Sequence, residues 1–264
     1  MPTFQEVGFL GDELAEYRAN VRATEEASFR IADLANSVAM KILWELPKQA
    51  ESAEQKYFVA CYARATQHFQ CLLLLHERGA EADARALLRA LAETVFLAAG
   101  MFKAKGMVTR LEADNAVHRK LMAERMRAML LERDAAADVS RFDAVLAEIA
   151  AEFPRESLSR IRWDKLAQEV DMPLLWEAAY RFTSGDAAHA TLGAFNRHFA
   201  ADDQGEHVGY DFRPTAKDVR RTFRPAVVAM IDLMKLAIEH VGQKAFEADV
   251  SYIVLEAQFF KDHW

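Results

Sequence analysis

The chain has 264 residues and a formal net charge of -7, from 33 lysines and arginines against 40 aspartates and glutamates. Ten glycines and six prolines are few for this length, while 48 alanines make up about 18% of it, so turn formers are scarce and the best helix former is abundant. That excludes a β-sandwich, a barrel and a Rossmann sheet, and the negative balance excludes a protein that coats nucleic acid with its whole surface.

The start, MPTFQEVGFLGDE, lacks a basic region and a long apolar run. No apolar run approaches the roughly 18 residues that span a bilayer, so the sequence predicts a cytoplasmic protein with no membrane partner. Cys61 and Cys71 point in different directions on one helix, which predicts free thiols and fits a reducing compartment.

Periodicity predicts helices almost throughout. Asp12 is placed to cap a short first helix with Leu14, Tyr17 and Val21 inward. The second, 24–46, lays Ile31, Leu34, Val38 and Ile42 on one stripe and ends at Pro47. The third, 50–78, stops at Gly79, and the fourth, 81–105, at Gly106. The fifth carries Leu111, Met122 and Met129 to about Arg133, with His118 packed on the same stripe. Phe142, Val145, Leu146, Ile149 and Phe153 give an amphipathic helix ended by Pro154, and Trp163, Leu166 and Val170 a short element before Pro173. Leu175, Trp176, Tyr180 and Arg181 follow on a helix broken at Gly185, and another covers 187–200. Residues 201–214 read as the longest polar loop. Thr215 opens a long helix with Val227, Met230, Ile231, Met234 and Ile238 inward, and the last helix puts Phe246, Val250, Ile253, Val254 and Ala257 on one face. With no repeat and no linker, the fold reads as all-α: a single helical bundle over 1–264 with long antiparallel core helices within 50–134 and 215–241. Residues 1–48 form an N-terminal extension on a 50–241 core, and 244–262 a C-terminal helix.

Polar residues in helical register carry the functional argument. On the third helix Thr66, Gln70 and Glu77 share one side, read as the wet one, which turns Arg64 and His68 inward. A buried guanidinium requires a partner. On the fourth helix Glu81, Arg85, Arg89 and Glu93 step by four. They make either a ladder of ion pairs on a solvated edge, or a deeper pair, Arg89 and Glu93, that meets Arg64 and His68. Later, Gly185 breaks a helix, Asp186 can cap the next, and His189 falls in its first turn, where backbone N–H groups favour an anion. There His189 acts either as an acid or base on a phosphodiester or as a structural histidine bonded to Tyr180 or Asp186. His189, His198 and His207 are spaced by nine, which turns the first two to opposite sides of one helix, so no metal and no cofactor are predicted. Two basic stretches, 103–133 and 213–224, offer weak support for RNA, since solvated helix faces look the same. No P-loop, dinucleotide fingerprint, nucleophile elbow or HExxH motif is present.

A long helix, a glycine turn and an L-R-x-x-x-E helix occur here with Leu88, Arg89 and Glu93, followed by Tyr-Arg-x-x-Ser…His at Tyr180, Arg181, Ser184 and His189. On these motifs about 50–240 resembles a widespread bacterial family of helical proteins, the domain of unknown function 5677, which implies a helical fold and no particular activity. A looser likeness is to HEPN domains, the helical bundles of toxin and phage-defence ribonucleases. Those place four to six residues between an arginine and a histidine, whereas seven separate Arg181 from His189. Three functional readings follow. In the first, an internal polar cleft lined by Arg64, His68, Arg89, Glu93, Tyr180, Ser184 and His189 binds a small ligand, a nucleotide or a protein partner. In the second, a HEPN-like, metal-independent ribonuclease uses Arg181 and His189 as catalytic residues. In the third, the polar cluster is a specificity device within a scaffold. The plentiful apolar helix faces predict a homodimer.

Overall fold

The structure, a computed structural model, describes residues 4–11, 14–133, 139–154, 157–184 and 191–260. Its elements in chain order are α1 (Phe4–Val7), α2 (Leu14–Thr24), α3 (Glu26–Glu45), α4 (Ala53–Glu77), α5 (Glu81–Lys103), α6 (Met107–Glu132), α7 (Ser140–Glu152), α8 (Trp163–Glu169) and α9 (Pro173–Leu175). A π-helical turn (Trp176–Arg181), α10 (Phe182–Ser184), α11 (Leu192–Asn196), β1 (Phe199–Ala201), β2 (His207–Tyr210), α12 (Val219–His240) and α13 (Glu247–Phe259) complete it. The fold is predominantly α-helical, with one two-stranded sheet among the described residues.

The core forms where helical stripes meet. On α3, Ile31, Val38 and Ile42 are buried as their spacing predicts, and Leu34 packs against them. The α4 N-terminus is capped by the Ser52 side chain, which accepts from the Gln55 N–H. Its buried stripe runs Phe58, Tyr62, Ala65, Phe69, Leu72 and His76. This stripe folds back on Leu88, Leu91, Ala92, Val95 and Phe96 of α5, across a turn of three residues at 78–80. The apolar face of α12 (Phe223, Val227, Met230, Met234) lies over α3, α4 and α5. Val250 and Ile253 of α13 close the end of the cluster, with Phe246, Val254 and Ala257 packed beside them. No helix among the described residues is long and apolar enough to cross a membrane.

Several expectations are corrected. The face of α4 is reversed: Thr66 and Glu77 are buried, Gln70 is half-buried against Asn36, and Arg64 is exposed. Volume decides this, because the opposite side carries Phe58, Tyr62 and Phe69, whose burial outweighs that of Tyr57, Cys61 and Leu75. On α6 the buried residues are Met107, Ala113, Ala116 and Ala123, while Met122 and His118 are exposed, so small side chains rather than the methionine stripe set the contact. Of the predicted helix 187–200, only α11 is helical among the described residues, and Phe199–Ala201 is a strand instead. Nor is 201–214 a plain loop. Phe199 and Ala200 pair antiparallel with Tyr210 and Gly209, and the Asp202 carboxylate closes the turn by accepting from the Gln204 and Glu206 N–H groups, both at 2.9 Å. The helix expected from Thr215 begins at Val219, with the Thr222 N–H bonded to the Asp218 carbonyl at 3.0 Å, and Thr215 instead gives its N–H to the Gly79 carbonyl at 3.1 Å. Asp12, Gly185, Asp186 and His189, with the cap, break and first turn expected of them, lie outside the described residues.

Candidate functional site

The step of four on α5 places Glu81, Arg85, Arg89 and Glu93 along one edge, and the edge divides into two sites. At its middle, Arg89 Nε donates to Glu93 Oε1 at 3.3 Å, and a terminal guanidinium nitrogen donates to the Tyr180 hydroxyl at 2.7 Å. The Arg89 guanidinium also lies 4.2 Å from the Tyr180 ring centroid. Trp176 stacks on that same ring at 4.1 Å with an interplanar angle of 18°.

Local structure explains the alignment. Pro173 starts α9 at its first turn, and the chain then widens into the π-helical turn 176–181. Such single-turn widenings are rare and concentrate at functional sites. Burial, partly offset by Arg89, holds the Tyr180 phenol above its usual pKa, so it stays a neutral hydroxyl that can donate onward. The Arg89 and Glu93 side chains keep 20% and 28% of their exposure, which leaves the constellation open to a ligand.

Of the residues read from the sequence, Arg89, Glu93 and Tyr180 come together. Arg64 does not join them: it lies exposed on the far side of α4, where its field acts on Cys61 and His68. His68 is half-buried with no hydrogen-bond partner on Nε2, and burial followed by Arg64 lowers its pKa. Arg181 is exposed and pairs with Glu177 one turn back at 3.2 Å. Ser184 ends α10, and His189, the expected catalytic partner of Arg181, lies outside the described residues.

The second site, at the α4–α5 corner, is a buried charge cluster that the sequence reading missed. Arg85, 5% exposed, donates to Asp218 at 3.0 Å, and Glu81, 3% exposed, accepts from the Asp218 backbone N–H. Arg197 lies 3.8 Å from Glu81 and 3.9 Å from Asp218. Burial raises the Glu81 carboxyl above its ordinary range. His76 is fully buried edge-on to Phe223, with neither ring nitrogen bonded, and burial together with Arg85 lowers its pKa to about 3. Next to it Glu77 receives Arg18 and Arg22, each at 2.6 Å. The signal was present in the spacing: His76 extends the Phe58–Tyr62–Phe69–Leu72 stripe by one further turn, which puts His76 and Glu77 inside. Among the described residues, no three His, Cys, Asp or Glu side chains converge as a metal site would require.

A family model described as "Family of unknown function (DUF5677)" matches residues 55–207, more than half of the chain, and the chain belongs to that family. The match spans α4, α5 and the π-helical turn, and so contains the whole Arg89–Glu93–Tyr180 constellation. No curated protein and no solved structure matches.

Proposed function

We propose that this member of the DUF5677 family binds a small anionic ligand with a planar ring, of the mononucleotide type, at the partly exposed Arg89–Glu93–Tyr180 constellation. One observation carries the reading: a guanidinium held between a carboxylate and a phenol on a π-helical turn, with Trp176 stacked on the phenol ring. Arginine is the side chain suited to planar oxyanion recognition, and Glu93 and Tyr180 fix its rotamer before a ligand arrives. Pre-positioning of that kind lowers the ordering cost of binding. The partly buried aromatic pair supplies an apolar edge against which a planar ring can settle.

Titration calorimetry with adenosine monophosphate, and separately with inorganic phosphate, tests this. Wild type should bind the nucleotide and Arg89→Lys should bind at least about tenfold more weakly, the loss expected for one charge-assisted hydrogen bond. Tyr180→Phe keeps the stack and removes the hydroxyl that holds Arg89, so it should fall between the two. Absence of nucleotide and phosphate binding by wild type, or equal affinity in all three proteins, would overturn the reading.

A further inference from the structure

The last helix carries two apolar seams where one would suffice. Val250, Ile253, Ala257 and Phe260 face the core, and Val250 and Ile253 are fully packed there. On the opposite side Ala248, Tyr252, Leu255 and Phe259 repeat with steps of four, three and four, the spacing of a helix–helix seam. Tyr252 is 51% exposed, Leu255 62% and Phe259 79%. A helix with two apolar seams is satisfied only where both are covered, and here only one side of α13 is.

More than a third of a turn around α13 from that seam, at 3.6 residues per turn, its side meets α12 in an open groove of about 420 Å³. Val228, Ile231, Val254 and Ala257 give the groove an apolar floor. Asp232 lies in it under the fields of Lys235 and Lys103, and the two lining cations, Arg224 and Lys235, outnumber that one carboxylate, so the rim is net positive. Ridge and groove thus lie on adjoining sides of α13. Their charges are complementary: α13 carries Glu247 and Asp249 in its first turn and no lysine or arginine, its Glu256 being paired with Arg30 at 2.6 Å.

We infer that this face is a two-fold interface with a second copy of the chain. The outer seam of each α13 seats in the α12–α13 groove of the other copy, and the acidic flanks of α13 meet the Lys235 rim. Because ridge and groove lie side by side, one two-fold axis satisfies both at once, as an isologous contact requires. The occupant is a helix of the same chain rather than a small molecule, since the exposed apolar side chains extend beyond the groove along the full seam.

Sedimentation equilibrium of the full chain over a range of concentrations and at low and high salt tests this. Wild type should show about twice the 29.8 kDa chain mass. Leu255→Glu should be monomeric, with circular dichroism and melting of the monomer otherwise native because the residue is exposed. Lys235→Glu should dissociate at least about tenfold more readily at low salt, with the difference shrinking as salt screens the contact. A monomeric wild type, a dimeric Leu255→Glu protein, or a Lys235→Glu dimer as tight as wild type would each overturn the inference.

Discussion

His76 shows how a single side chain couples the α4–α5 corner to pH. It is a neutral imidazole with neither nitrogen bonded, packed on Phe223 and facing Arg85, and its pKa is lowered to about 3. An unfolded histidine titrates near 6.5. Between those values the unfolded chain binds the proton and the folded one does not, so stability falls as pH drops through that window and is unaffected above it. By pH 5 the loss from this residue alone is about 2 kcal/mol. Glu81 works in the opposite sense, because a carboxyl raised by burial weakens the fold at neutral pH and ceases to do so as it protonates. The two are separated by substitution: His76→Phe should unfold in urea with a smaller stability loss between pH 7 and pH 5, the difference from wild type being about 2 kcal/mol. The same loss in both proteins would mean the imidazole titrates normally. At this scale the sequence disclosed the middle of the α5 edge, since Arg89, Glu93 and Tyr180 stand out as polar residues in helical register. It hid the corner, because His76 and Glu77 look like the ordinary polar end of a helix until the aromatic stripe of α4 is followed through to its last turn.

Among the elements, the short turn between α4 and α5 joins the long helices to the β1–β2 hairpin arm. Gly79 has φ +73°, a left-handed conformation, and a Cβ there would lie 2.5 Å from the Pro214 Cβ and 2.8 Å from the Thr215 nitrogen. Its carbonyl accepts from that same Thr215 N–H at 3.1 Å, which anchors the returning end of the arm. A two-stranded hairpin has little stability of its own and depends on such anchors. Gly79→Ala should therefore lower global stability by at least about 2 kcal/mol, from backbone strain and the displaced proline together. The hairpin amides of Val208 to Tyr210 should exchange faster before any change in the α4 and α5 amides. Unchanged hairpin protection would show that the arm is held elsewhere. The hairpin was illegible as strands for a related reason. Three and four residues are too few to display a period of two, and one register shift between Ala200 and Ala201 removes what alternation there is. The long helices read well because each presents several turns of one stripe. Two depart from this: α6, where alanines rather than the methionine stripe are buried, and α4, a helix with apolar residues on both sides, where aromatic volume decides which side wins.

For the whole molecule, the N-terminal α2 is attached to the core largely through one carboxylate. Only Leu14 and Val21 of α2 are buried, too little apolar surface to hold eleven residues in place. Glu77, at the end of α4, receives both Arg18 and Arg22 of α2, and Arg22 continues to Asp33 of α3 at 2.8 Å while its guanidinium lies 4.7 Å from the Phe29 ring. Three helices are thus tied through a single anion. Burial of that anion is tolerable because two cations complete it, and removing it leaves those cations at partly solvated positions where water takes over. The expected cost of Glu77→Ala is accordingly about 1–3 kcal/mol, below that of breaking a fully buried pair. The more telling consequence is local. Trypsin should cut the variant at Arg18 and Arg22 well before global unfolding, while α4 and α5 stay protected, as expected of a segment that opens as its own unit. If cleavage at those arginines instead keeps pace with global unfolding in wild type and variant alike, α2 is an integral part of the bundle and the Glu77 clasp is incidental to its attachment.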